Sequence, residues 1–155
     1  MHPHITSDEM RRRVEARLAA NLTSEHPNLP NTKLIPRFVR ADGEALTLEL
    51  AFDTQDWMTN PMGVVHGGAL AIVMDNAMGV ACHCLCGVPT PTISMTLNYP
   101  RPVPLNAVVH VRVRIAVFGS TCAQVSAELF LPQAPDQALV FATGVYSTKG
   151  QKPQA

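Results

Sequence analysis

Aromatic residues make up only 5% of this 155-residue chain and charged residues only 15%. Twelve basic side chains are balanced by twelve acidic ones, so the formal net charge is zero. A nucleic-acid surface needs clustered cations and stacking rings, and neither is supported here. No segment repeats, and no dinucleotide-binding or phosphate-loop glycine pattern is present. Met1-His2-Pro3-His4 is followed by charged residues rather than an apolar signal-peptide core, so the expectation is a cytoplasmic protein. The four cysteines, Cys82, Cys84, Cys86 and Cys122, do not form the spacing of a disulfide framework and read as buried, reduced thiols. The Cys82-His83-Cys84-Leu85-Cys86 run invites a metal, but on a continuing helix Cys84 points about 200° away from Cys82. Only an earlier helix end would let these ligands converge, and no metal is expected.

The chain is instead organised around Asn60-Pro61-Met62-Gly63-Val64-Val65-His66-Gly67-Gly68, a polar, glycine-punctuated turn that feeds an apolar run from Ala69 to Cys86. The run has no proline and is too long for a strand, so its length predicts a helix. Gly87 ends it, with Pro89 two residues beyond. A membrane span is weighed and set aside. Asp75 in the middle of the run would cost roughly 2.5 to 3.5 kcal/mol on insertion scales, and neither end carries a Lys/Arg cluster. A helix apolar on all sides is then one wrapped by its own protein.

Two features of this helix carry chemistry. At its first turn Gly67 and Gly68 offer unhindered backbone N–H groups where the helix dipole is positive, a site for an anion or a developing oxyanion. Asp75 has only Ala71, Ile72, Met78 and Gly79 one turn away, so no local cation can pair with it; burial would then raise its pKa toward the range of a general base. A buried Asp held only for structure is the alternative. At ~1.5 Å rise per residue, Asp75 lies about 12 Å along the axis from the Gly67 amide, too far for both to touch one carbonyl. Two copies with antiparallel helices would bring Asp75 of one to Gly67 of the other, so the spacing predicts a site shared across a two-fold axis.

At 155 residues one domain is expected, large enough to bury about 68–70% of its unfolded surface. An N-terminal segment, residues 1–32, holds a helix from about Glu9 to Asn21, with Met10, Val14, Leu18 and Leu22 as its apolar stripe, and then a loop. Residues 33–149 form the main domain and 150–155 a tail. A first strand is placed over Lys33 to Val39, and a second where Leu46, Leu48, Leu50 and Phe52 alternate with polar residues. After the helix, Ile93, Met95, Leu97 and Tyr99 alternate with Thr92, Ser94, Thr96 and Asn98. Then come a strand over Val109–Val117, a two-residue turn at Gly119-Ser120, a strand over Ala123–Leu131, and a last one over Ala138–Thr148. Strands with one apolar side and a single helix without a polar face define an α+β domain in which a curved antiparallel sheet wraps a long central helix.

The pattern Asn60-x5-His66-Gly67-Gly68-x6-Asp75, followed by Thr92-x6-Tyr99-x-Arg101-Pro102, resembles the hotdog-fold acyl-CoA thioesterases of the phenylacetate-pathway (PaaI) type. The likeness runs from about Lys33 to Thr148. It implies that the Gly67 amide, supported by His66, polarises a thioester carbonyl, and that Asn60 helps position substrate or water. Asp75 from the facing subunit would be general base or nucleophile, and the Thr92 hydroxyl would help hold the attacking water. It implies a homodimer or dimer of dimers, with coenzyme A thioester as substrate and no cofactor. Substrate contacts would fall on Gly119 and Ser120. Since Ser120 stands where many relatives carry a basic residue, Arg101 is the candidate cation for the coenzyme A phosphates. Two other readings remain: a hotdog hydratase or dehydratase using His66 as base, and a non-catalytic acyl-CoA sensor.

Overall fold

In a computed structural model, residues 4–150 are described. The tail assigned to 150–155 lies outside them but for Gly150, as do residues 1–3 of the N-terminal segment. Helix α1 (Ser7–Leu22) is capped by Thr6, whose hydroxyl accepts from the Glu9 amide. A one-turn helix α2 (Pro30–Lys33) follows, then β1 (Arg37–Asp42), β2 (Thr47–Asp53), the central helix α3 (Gly67–Cys86), β3 (Thr92–Asn98), β4 (Val108–Phe118), β5 (Cys122–Phe130) and β6 (Val140–Ser147). The six strands form one antiparallel sheet in the order β1-β2-β4-β5-β6-β3. Its curved inner face wraps α3.

The two-residue periodicity places the core. Val109, Val111, Val113 and Ile115 of β4 point inward, as do Ala123, Val125, Ala127 and Leu129 of β5, and all are buried against Val73, Met74, Ala77 and Met78 of α3. On the outer face of β1, β2 and β4, Arg40, His110 and Arg112 surround the Glu49 carboxylate. Apolar enough to cross a bilayer, α3 is nevertheless mostly buried by its own chain. It ends as expected at Gly87, whose φ of 68° is the left-handed conformation that glycine adopts without strain.

Three boundaries differ from expectation. Pro30, at the first helical position, starts α2 where a loop was expected; the first strand therefore begins only after Pro36. The β4–β5 connection has three residues, Gly119 to Thr121, closed by the Gly119 amide on the Cys122 carbonyl. In α1 the stripe runs through Met10, Val14 and Leu18 and then turns to Asn21, while Leu22 is exposed. The helix is part of the main core, and Arg13 donates to the Cys84 carbonyl at the far end of α3 at 3.0 Å.

The α1 N-terminus seats on the β1–β2 hairpin at Gly43. The Gly43 amide donates to the Ser7 hydroxyl, and a Cβ at Gly43 would stand 2.1 Å from the Ile5 carbonyl oxygen, which is backbone and cannot swing away. Gly43→Ala is expected to lower the unfolding free energy by about 1–3 kcal/mol. Urea denaturation of the two proteins measures it.

Candidate active site

His66 is the N-cap of α3. Its backbone is extended (φ −64°, ψ 137°), and its ring Nδ1 accepts the Gly68 amide at 2.9 Å. Nδ1 is therefore the unprotonated nitrogen and the proton sits on Nε2. Of the two amides expected to be open, the Gly68 amide is thus consumed by the cap, and the Gly67 amide alone has no partner among the described residues. The Tyr99 hydroxyl donates to the Gly67 carbonyl at 3.0 Å and ties this end of α3 to the end of β3.

The turn before His66 is held by Asn60. Its side-chain oxygen accepts from the amides of Met62 (2.9 Å) and Val64 (3.3 Å), and its side-chain NH2 has no partner among the described residues. Its main chain bonds to Val64 and Gly63 and closes the loop. The indole of Trp57, half-exposed, donates to Gln55. Arg101 donates to the Ala138 carbonyl at 2.8 Å, which fixes the guanidinium at the same end of the sheet as Tyr99.

Asp75 lies two turns further along α3. It is half-buried and not isolated among apolar side chains as expected: Oδ1 accepts from Thr92 at 2.7 Å and from Tyr146 at 2.8 Å. Among the described residues Oδ2 has no partner. One carboxylate oxygen is thus fixed and the other is available to a water.

Thr92 reaches Asp75 because of an irregularity. Met95 and Leu97 pack inward, and strict alternation would put Thr92 on the outer face. The register between β3 and β6 slips between Thr92 and Ser94, so that Thr92 pairs with Tyr146 and Ser94 with Val145. The bulge turns Thr92 to the helix side and leaves Ile93 61% exposed.

Tyr146 was not among the residues singled out in the sequence. Its ring is buried on β6, and burial first, then the Asp75 carboxylate, push its phenol far above the usual range, so the proton stays on the tyrosine. Gly144 makes room for it: a Cβ there would meet the ring at 2.9 Å. Tyr146→Phe keeps the ring and removes one hydrogen bond to a charged group, about 1.5–3 kcal/mol, of which Thr92 retains part. We expect kcat to fall about tenfold with KM little changed, measured by steady-state thiol release.

The cysteines of α3 contribute no nucleophile. All three on α3 are buried; burial pushes the Cys84 thiol up to about 12 and that of Cys86 up to about 11. The Cys84 thiol donates to the Ala81 carbonyl.

Within one chain the expected residues, joined by Tyr146, fall into two groups. His66, Gly67, Asn60, Tyr99 and Arg101 gather at one end of α3. Asp75, Thr92 and Tyr146 gather about 12 Å further along the helix. Gly119 and Ser120 lie on this second side, where Thr148 joins the Gly119 carbonyl and Ser147 joins Pro91 next to Thr92.

The Thioesterase superfamily model matches residues 62–135, a stretch that holds α3, β3, β4 and β5. Similar solved structures include a phenylacetic acid degradation-related protein of Ralstonia eutropha (21% identity, TM-score 0.73, covering 87% of this chain and 98% of that one). PaaI of Escherichia coli is 15% identical with a TM-score of 0.75, covering 96% and 99% of the two chains. A Streptococcus mutans protein bound to acetyl CoA is 18% identical with a TM-score of 0.67, covering 76% and 90%. No curated protein matches. The recognition made from the residues holds for the fold: the chain is a hotdog protein, and its stretch 62–135 is similar to the Thioesterase superfamily. Within that class its likeness is to the PaaI type.

Proposed function

We propose that the protein is an acyl-CoA thioesterase that hydrolyses a coenzyme A thioester to the free acid and thiol, with each active site built from two subunits. The observation that carries the reading is the Asp75 carboxylate, pinned through one oxygen by Thr92 and Tyr146 and open at the other. That is how a general base for water is held. The Gly67 amide, unpaired at the positive end of a 20-residue helix, supplies the donor for the tetrahedral oxyanion. His66 supports it as the helix cap and presents an Nε2–H that has no partner among the described residues. Asn60 shapes the turn and offers its NH2 to the substrate.

The two halves cannot serve one carbonyl within a chain, and the edge strand favours a second copy. Strand β3 ends the sheet, with Ile93 and Tyr99 exposed along it and Phe141 exposed on the neighbouring strand. An isologous pairing of two β3 edges sets the two α3 helices antiparallel, and Gly67 of one chain then faces the partner's Asp75. The same pairing brings Arg101 to the partner's Gly119 and Ser120, a polar mouth for the coenzyme A moiety with Arg101 as its phosphate contact. The absence of disulfides among the described cysteines fits the reducing cytoplasm as its location.

Thiol release from a panel of short, medium, long and aryl acyl-CoAs tests the reading. Release from at least one class with the acid as product is expected. Binding without release would replace the enzyme with a sensor, and loss of an enoyl group with the thioester intact would replace it with a hydratase.

A further inference from the structure

A cavity of about 210 Å³ opens beside Asp75 and runs along one face of α3, past Asn76 and Gly79 to His83. It passes under Arg17 of α1 and Asn31 of α2. An acyl pocket for a plain hydrocarbon would be lined by apolar side chains, and this wall is polar along most of its length.

Two features of the wall point to the ligand. Arg17 is half-buried and has no carboxylate or other hydrogen-bond acceptor as partner among the described residues. Every other arginine of α1 is bonded: Arg11, Arg12 and Arg13 to Glu15 or Glu9. Its charge is felt inside the cavity, where burial first and Arg17 second lower the pKa of His83 and favour the neutral ring, with Nδ1 engaged on the Val88 carbonyl. In addition, Gly79 stands in the wall although packing does not demand it. A Cβ there would meet nothing nearer than the Tyr146 ring at 3.9 Å. Glycine inside a helix costs roughly 0.5–1 kcal/mol relative to alanine, and here its return is an open channel.

We propose that this cavity takes the acyl chain of the thioester and that Arg17 receives a carboxylate at the far end of that chain, making the substrate the mono-coenzyme A thioester of a dicarboxylic acid. The proposal rests on the thioesterase reading for its chemistry and on the cavity alone for its selectivity. From Asp75 to His83 the helix rises about 12 Å. His83 shares that end of the cavity wall with Arg17, so the cavity has room for a chain of several carbons.

Adipyl-CoA and hexanoyl-CoA have the same chain and differ in the distal carboxylate. Their binding is measured by calorimetry on Asp75→Asn, with and without Arg17→Gln, and their hydrolysis on the otherwise unaltered protein. A charge-assisted hydrogen bond predicts that adipyl-CoA binds at least about tenfold more tightly than hexanoyl-CoA. The advantage should shrink by a similar factor in Arg17→Gln and return in part in Arg17→Lys. Equal binding of the two thioesters, an advantage indifferent to Arg17, or equal binding of 6-hydroxyhexanoyl-CoA would overturn the proposal. Failure of thiol release from both thioesters, with the Arg17-dependent difference in binding intact, would sink the hydrolase reading and leave the ligand assignment standing.

Discussion

Asp75→Asn is expected to lower kcat by at least about 10² while the protein remains folded and still binds acyl-CoA. The amide is the same size as the carboxylate and keeps an oxygen to accept from Thr92 and Tyr146, at 2.7 and 2.8 Å in the parent. What it loses is the second oxygen's ability to take a proton from water. If Asp75 served only to anchor β3 and β6 to the helix, the substitution would cost stability, and activity per folded molecule would survive. Steady-state thiol release alongside a denaturation curve separates these outcomes.

Gly67→Pro attacks the other half of the site by removing a backbone proton. Gly67 is the first residue of α3, the one helical position where proline is welcome because its N–H has no partner inside the helix. The residue before a proline must be extended, and His66 already is, at φ −64° and ψ 137°. A Cβ at position 67 would meet the Tyr99 ring at 3.5 Å, ordinary contact. The fold should therefore tolerate the change. Loss of one oxyanion donor predicts a fall in kcat of about 10² to 10³, with a far smaller change in substrate affinity. Stopped turnover with an unchanged circular dichroism spectrum is the expected pair of results. An active Gly67→Pro protein would show that the oxyanion is held elsewhere.

The elements legible in the sequence were those with a single strong cause. The length and apolarity of Ala69–Cys86 fixed α3, and strict alternation in Val109–Val117 and Ala123–Leu131 fixed β4 and β5. The helix-mouth turn and Asp75 were legible as well, because an ionisable group in an apolar run stands out. What the local pattern alone did not place depended on tertiary register. Alternation alone assigns Thr92 to the outer face; only the slip between Thr92 and Ser94 carries it to Asp75. Tyr146 looked like one more strand residue, since nothing local shows that Gly144 clears space for its ring. A tyrosine two residues after a glycine in an otherwise apolar strand was the available signal, and a weak one. Arg17 was invisible for the same reason: its meaning comes from α2 and α3 meeting α1 around a cavity. The cap formed by His66 is read from its position before Gly67, but that its ring would consume the Gly68 amide requires the backbone angles.

The central claim is that neither chain holds a complete site, and mixing two inactive variants tests it most directly. Asp75→Asn retains Gly67, and Gly67→Pro retains Asp75. Unfolded together and refolded as a mixture, they should form mixed dimers in which one of the two sites is intact, restoring about a quarter of parental activity under random pairing. Each variant refolded alone should stay inactive. A mixture as inactive as its components, although mass spectrometry shows that mixed dimers have formed, would contradict the shared site.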